Sequence, residues 1–336
     1  MRSTHIRAFA KINLGLRILG RRADGYHELR TAYQSISLAD QLEVSLASRH
    51  GEIQVDADAP DVPGGPANLV YKACDRWREA RRTRRGIHVA IRKTIPVGSG
   101  LGGASSDVAA AIIALERLSG DRLSLAARLE IAAGLGSDVP FFLFGGRALG
   151  CGRGEEVYPL PDLPSRSCLV VFPGFSQSTR EAYDAFDSQY FLGLDVKAAL
   201  TAAPQFSGGR PLGGHEVRPY VEVTLRDSQL TGERPGRNIY SFGKWPQFPW
   251  EDWEAAENDF ENVVFAKWPE LSRLKRQLLR AGAEMASLTG SGTAVYAIFS
   301  SARKLASVQK LLPKKWRCFA ERTLSRSEYH ARQRRA

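Results

Sequence analysis

The run Pro96-Val97-Gly98-Ser99-Gly100-Leu101-Gly102-Gly103-Ala104-Ser105-Ser106 places four glycines and three serines in eleven positions. Glycines let a backbone approach a ligand closely. The free N–H groups of such a turn, aimed with a helix dipole, favour bound negative charge. The chemistry this spacing supports is therefore phosphate binding. The run lacks the terminal Gly-Lys-Ser/Thr of a P-loop. It also lacks the acidic residue expected about twenty positions past a dinucleotide-binding fingerprint. A plain glycine-rich connector is the competing reading.

Elements on both sides suit a phosphate loop. Ile87–Ile91 alternates and is β-branched, which predicts a strand. From Ser105 to Leu118, Val108, Ile112, Leu115 and Leu118 recur at helical spacing. Further strands are expected at Ile6–Ala10, Ile12–Leu19, Thr31–Leu38, Asp40–Leu46, Ile53–Val55 and Cys168–Val171. Helices are expected at Asn68–Thr83, Leu123–Gly134 and Val139–Leu143. This is an α+β pattern with antiparallel pairs rather than regular βαβ repetition. Residues 179–202 read as helical. Residues 203–250 are rich in Gly, Pro and aromatics with little helical period, and read as an insertion. Helical spacing resumes over Phe260–Ala281. A strand–loop–strand (Ala286–Phe299) and a helix (Ala302–Leu311) follow.

The chain has 336 residues, 43% hydrophobic and 25% charged, enough for two domains of ordinary composition. No apolar run reaches the length of a membrane span. Met1–Arg7 has no apolar signal region, and the first motif begins by Phe9, which argues against a transit peptide. The expected location is the cytoplasm. Cys74, Cys151, Cys168 and Cys318 lie far apart with no zinc spacing, and are expected as reduced thiols. Much of the net charge of +11 is local. Residues 303–336 hold eleven Lys/Arg against Glu321 and Glu328. The tail Ser325–Ala336 is expected to fray. With few aromatics to stack on bases, the tail gives little support to nucleic-acid binding.

Four segments resemble the GHMP kinases, in order: Ala8-Phe9-Ala10-Lys11-Ile12-Asn13-Leu14, the Pro96–Ser106 loop, Leu135-Gly136-Ser137-Asp138-Val139-Pro140-Phe141-Phe142, and Thr289-Gly290-Ser291-Gly292-Thr293-Ala294-Val295. The resemblance covers roughly residues 6–312, apart from the 203–250 insertion. It implies a two-domain GHMP kinase fold. Residues 1–165 would form an N-terminal Gly/Ser-loop domain, and 166–320 a C-terminal α/β sandwich-like domain carrying the insertion. Residues 321–336 would be a basic tail. Arg21-Arg22-Ala23-Asp24-Gly25-Tyr26-His27-Glu28-Leu29, Asn68-Leu69-Val70-Tyr71-Lys72-Ala73 and Glu257-Asn258-Asp259-Phe260-Glu261 resemble one branch of that family. Its small-molecule substrate carries a cytidine diphosphate moiety on methylerythritol. The implied reaction is ATP-dependent phosphorylation of the 2-hydroxyl, a step of the non-mevalonate isoprenoid pathway.

On that resemblance the roles follow residue by residue. Asp138 is the catalytic carboxylate, accepting or orienting the attacking hydroxyl's proton. Lys11 keeps it ionised and stabilises charge on the reacting oxygens; a structural ion pair is the alternative. Pro96, Gly98, Gly100, Leu101, Gly102, Gly103, Ala104, Ser105 and Ser106 bind the ATP phosphates. Ser105 is placed equally well to cap the helix, and Ser105 or Ser106 to meet phosphate or Mg²⁺. Lys93 resembles a nucleotide contact, with a solvated charge as its alternative. Asn68 resembles an adenosine-side contact, with a helix cap as its alternative. Asn13, Tyr26, His27 and Tyr183 fall on the substrate side. His27 would read cytosine through its ring nitrogens, with Tyr26 and Tyr183 on opposite faces of the base; a core aromatic is the alternative for Tyr183.

The motifs name no Mg²⁺ ligands, and nothing in the sequence fixes an oligomeric state. Two departures from the family pattern stand out. One is the 203–250 insertion. The other is Ala104 and Asp107, where Gly and Asn or Ala are expected. An acid in the first helical turn suits the helix but not a phosphate, so Asp107 is expected to point away. Rival functions are a GHMP kinase for homoserine, mevalonate or a sugar, and a non-catalytic nucleic-acid-binding module.

Overall fold

In a computed structural model the chain is described over residues 2–190 and 257–334. The expected 203–250 insertion and the C-terminal part of the 179–202 helix lie outside the described residues.

Two long strands run through the molecule. β1 (Arg2–Arg21) and β2 (His27–His50) pair antiparallel along their length, with register shifts at Phe9/Lys11, Asn13/Gly15 and Ile18/Gly20. The sequence pattern broke each into two pieces because these bulges interrupt strict alternation. β2 also pairs with β4 (Arg85–Arg92) and β5 (Arg147–Cys151). β3 (Ile53–Ala57) and β6 (Glu156–Pro159) complete this six-stranded sheet. A second sheet has the order β10-β7-β9-β8, from β7 (Ser167–Phe172), β8 (Met285–Leu288), β9 (Val295–Phe299) and β10 (Arg317–Arg322).

Three large cores and one small cluster share the β1–β2 hairpin. Ile6, Ala8 and Tyr33 belong to the first, with α1 (Leu69–Ala80), α2 (Gly103–Ser119), α3 (Leu125–Leu135) and α4 (Val139–Phe144). Ala10, Ile12 and Leu14 belong to the second, against Cys168, Val170, Tyr296 and Ile298 of the four-stranded sheet. Leu16, Ile18 and Leu29 join the third, with Leu169, Val171 and the helices Phe260–Lys267 and Pro269–Arg280. Cys168 and Val170 face one side and Leu169 and Val171 the other, so this strand is buried on both faces. The Phe260–Ala281 helix is two helices, divided at Trp268-Pro269. Proline serves there as the first residue of a new helix.

The tail does not fray. Residues Arg326–Arg334 form a helix whose Tyr329 is fully buried beside Phe9 and donates to Phe142 O at 2.7 Å. One aromatic and Leu324 supply the apolar face that the charge count obscured. Among the described residues, no helix is long and apolar enough to cross a membrane, and all four cysteines are free thiols.

Candidate active site

The phosphate loop joins β4 to α2. Gly98, Gly100 and Gly102 have φ of +68°, +84° and +75°, which favours glycine at each. The first bond inside α2 runs from Ser106 N–H to Gly102 O at 2.9 Å. The amides of Gly103, Ala104 and Ser105 therefore have no acceptor inside the helix, and the helix dipole points with them. Gly102 occupies the cap position and makes no side-chain cap bond. Ser105 thus lies one turn past where a cap belongs, which removes its capping alternative. Ser106 is buried and donates to Phe9 O at 2.7 Å.

A second glycine turn clamps this loop. A methyl group on Gly100 would sit 2.0 Å from Thr289 O, and one on Gly292 would sit 2.2 Å from Ser99 C. Ala294 N–H donates to Ser99 O at 3.2 Å. Asn258 holds the turn from below, donating to Leu288 O and Gly290 O at 2.9 Å each.

Lys11 and Asp138 meet at the loop's inner wall. Their nearest approach is 3.3 Å, Nζ to Oδ2, with Lys11 buried and the Asp138 side chain 30% exposed. β1 presents Lys11 beside the loop through Lys11 N–H to Leu101 O at 3.0 Å. Asp138 precedes α4 with helical backbone angles (φ −81°, ψ −15°) and no side-chain cap bond. An Asp at that position ordinarily caps; here its carboxylate is directed to Lys11 instead. Lys11 also donates to Asn13 Oδ1 at 2.6 Å, and Asn13 donates to Thr31 Oγ1 at 2.6 Å. One ammonium donor is left for an incoming oxygen. The pair is a carboxylate beside an ammonium, next to the loop that leads into the free amides of α2.

Tyr33 was missed by sequence reasoning. Its hydroxyl donates to Asp138 Oδ1 at 2.9 Å. Burial and the Asp138 charge hold this phenol well above its ordinary range. In sequence it is one more aromatic in an alternating strand, and only its alternation with Thr31 marked the face it shares with the site.

Lys93 lies beneath the loop. It contacts Asp40 and, at 2.7 Å, Asp107 Oδ2. Asp40 also accepts from Thr94 N–H and Ile95 N–H at 2.6 and 2.8 Å, fixing the chain just before Pro96. Asp107 is turned into this cluster rather than towards the loop's open side. Burial pushes its carboxyl up to about 8 against the pull of Lys93. Its Oδ1 is buried with no hydrogen-bond partner. The Lys93 ammonium is thus engaged with two carboxylates, and the solvated-charge alternative fails. Asn68 is the cap of α1: Oδ1 accepts from Val70 N–H at 2.8 Å, while Nδ2 donates to Pro63 O at 2.8 Å.

The remaining sequence-selected residues cluster at the β1–β2 turn. Tyr26 is 54% exposed, with the Arg153 guanidinium 4.7 Å above its ring. His27 is buried and stacks on Tyr183 of α5 (Thr179–Tyr190), centroids 4.4 Å apart and planes at 17°. Its Nε2 lies 2.6 Å from Asp187 Oδ1. Tyr183 thus stacks on the histidine itself, and Phe260 meets it edge-on at 4.9 Å. Asp187 was not singled out in the sequence. The signal was its i, i+4 spacing from Tyr183, which places both on one helix face.

Models of the GHMP kinases N-terminal and C-terminal domains match residues 68–146 and 248–318. The chain is 39% identical over 337 residues to a 4-diphosphocytidyl-2-C-methyl-D-erythritol kinase of Solibacter usitatus, covering 100% of this chain and 93% of the relative. It is 37% identical to the enzyme of that name from Moorella thermoacetica, covering 89% and 92%. A crystal structure of 4-(cytidine 5'-diphospho)-2C-methyl-D-erythritol kinase superposes with a TM-score of 0.67 at 30% identity, covering 95% of this chain and 99% of that one. A homoserine kinase from Cytophaga hutchinsonii, at 16% identity, shares the fold with a TM-score of 0.62 over 97% and 95%.

Proposed function

The chain belongs to the 4-diphosphocytidyl-2-C-methyl-D-erythritol kinases, a branch of the GHMP kinases, and from that premise we propose how its own residues carry out the reaction. The activity is ATP-dependent phosphorylation of the 2-hydroxyl of the cytidylylated methylerythritol. The observation that carries the residue assignment is the Lys11–Asp138 pair at 3.3 Å beside the amide-lined loop.

Phosphoryl transfer calls for positioning and charge stabilisation more than covalent chemistry. The Gly102–Ser105 amides receive the phosphate oxygens, and the Gly290–Gly292 turn keeps the loop open for them. Asp138 takes the proton of the attacking hydroxyl at Oδ2. As the new O–P bond forms, the bond between the γ-phosphorus and the β–γ bridging oxygen breaks, and ADP leaves with that electron pair. Lys11 faces the reacting oxygens and offsets their negative charge in a site partly shielded from water.

Mg²⁺ supplies charge neutralisation on the phosphates. Among the described residues, no three His, Cys, Asp or Glu gather as a metal site. The Ser105 hydroxyl at the loop is the group that would meet such an ion together with the phosphates. His27, Tyr183, Tyr26 and Asp187 form the polar and aromatic side suited to a cytidine diphosphate moiety.

The test is a coupled assay of ADP release. The cytidylylated substrate, free methylerythritol phosphate, homoserine and mevalonate are offered in parallel. Turnover restricted to the first supports the assignment. Equal efficiency on the first two defeats the base-side reading, and preference for either of the last two defeats the substrate.

A further inference from the structure

Asp138 is held on two sides by different partners. Lys11 Nζ lies 3.3 Å from Oδ2, whereas the Tyr33 hydroxyl lies 2.9 Å from Oδ1. Tyr33 is itself fitted into place. Its ring packs on Phe141 of α4 at 4.8 Å between centroids. A methyl group on Gly150 would lie 2.5 Å from its Cε2, and one on Gly154 2.5 Å from its hydroxyl. β5 and the turn after it therefore close over this side chain only because they carry glycine at those two places. Gly154 O is the hydroxyl's other neighbour, at 3.4 Å. The nearer and charged acceptor is the carboxylate, which makes the stronger bond.

We propose that Tyr33 is a positioning residue for phosphoryl transfer, its hydroxyl fixing one oxygen of Asp138 so that the other is presented to Lys11 and the attacking hydroxyl. The proposal rests on the reading of Asp138 as the proton acceptor. Without Tyr33 the carboxylate can rotate about its last bond, a broad and weakly held torsion. It also loses a bond that favours its ionised form. The phenol remains protonated, and so a donor, throughout the working pH range, since burial and Asp138 both push its ionisation up. The titratable groups around Asp138 are Lys11 from β1, Tyr33 from β2 and Tyr183 from α5. Glu155 of the β5–β6 turn acts on Tyr33 in turn.

The experiment uses the full chain with ATP and the cytidylylated substrate, and follows kcat and kcat/KM against pH. In Tyr33→Phe the ring and its packing stay. The acid limb of the profile should rise, kcat at neutral pH should fall roughly tenfold, and KM for ATP should change less than twofold. A 3-fluorotyrosine at position 33, a stronger donor of nearly the same size, should move the limb downward. It serves also as the decisive variant if Tyr33→Phe fails to fold. Profiles that superpose on the unmodified enzyme overturn the proposal. Asp138→Asn measured alongside separates the two readings. If it keeps near-normal kcat, the role of Asp138 falls and this proposal with it. If it is inactive while the Tyr33 profiles do not move, only the role of Tyr33 falls.

Discussion

At the glycine-rich loop, Gly100 and Gly292 leave no room for a methyl group, and the alternate glycines Gly98, Gly100 and Gly102 use left-handed backbone. At the β1–β2 turn, Tyr26 is largely in solvent and His27 is held by the side chains of Asp187 and Tyr183. The first region is made of backbone packed on backbone, and its ligand is expected to be the common one, ATP. The second is made of side chains on a turn and one helix, and its ligand is expected to be the cytidylylated substrate. The first region is thus held by backbone contacts and the second by side chains, which respond differently to single substitutions.

The sharpest way to break this contrast acts on the chemistry between the two regions. Asp138→Asn should lower kcat by at least about a thousandfold, roughly 4 kcal/mol, with both substrates still binding. Single-turnover kinetics with binding measured separately check it. Next is the backbone region. Gly100→Ala combines a strained φ with a contact to Thr289 O, each costing about 1–3 kcal/mol. ATP affinity should fall at least tenfold, and Tm by roughly 5 °C or more. Calorimetry and nucleotide titration read both together. Gly102→Val belongs to the same class, since a methyl group there would lie 2.7 Å from Phe142 Cζ. The loop's glycines are packing requirements.

The side-chain region should respond more selectively. His27→Ala should raise KM for the cytidylylated substrate about tenfold to a hundredfold, about 1–3 kcal/mol, and leave KM for ATP nearly unchanged. An equal rise in both would dissolve the distinction between the regions. A further test concerns Asp107. Its carboxyl titrates near 3.9 when unfolded and about 8 in the folded protein. Between those values the folded state binds the extra proton, so this group makes stability fall as pH rises. Asp107→Asn should flatten that slope, changing little near pH 4 and raising denaturant resistance increasingly up to about pH 8. A parallel slope in both proteins would show that Lys93 alone governs the cluster.

The same contrast explains what could be read in advance. The loop, Lys11 and Asp138 were legible because glycine, lysine and aspartate at those positions have few other reasons to be there. His27 was legible as a histidine in a turn. Asp187 and Tyr33 were not, because an exposed-looking helix acid and a strand tyrosine fit many ordinary roles. The capping alternative for Ser105 fails because Gly102, in left-handed backbone, takes the cap position a serine would normally mark. The hairpin's length was hidden by its bulges, and the C-terminal helix by its charge.

The first strand of this chain is finished by its last helix. Phe9 is sealed by Leu324 and Tyr329, and the Tyr329 hydroxyl ties Phe142, the ring beside Gly102. During synthesis at about 5–20 residues per second, β1 emerges well before those partners, roughly 15–60 s ahead of them at those rates. The nascent hairpin must wait that long with an apolar flank uncovered. A ribosome stalled short of residue 324 would therefore hold a chain with most of its catalytic groups but an unsealed wall behind them, a substrate for chaperones rather than a working kinase.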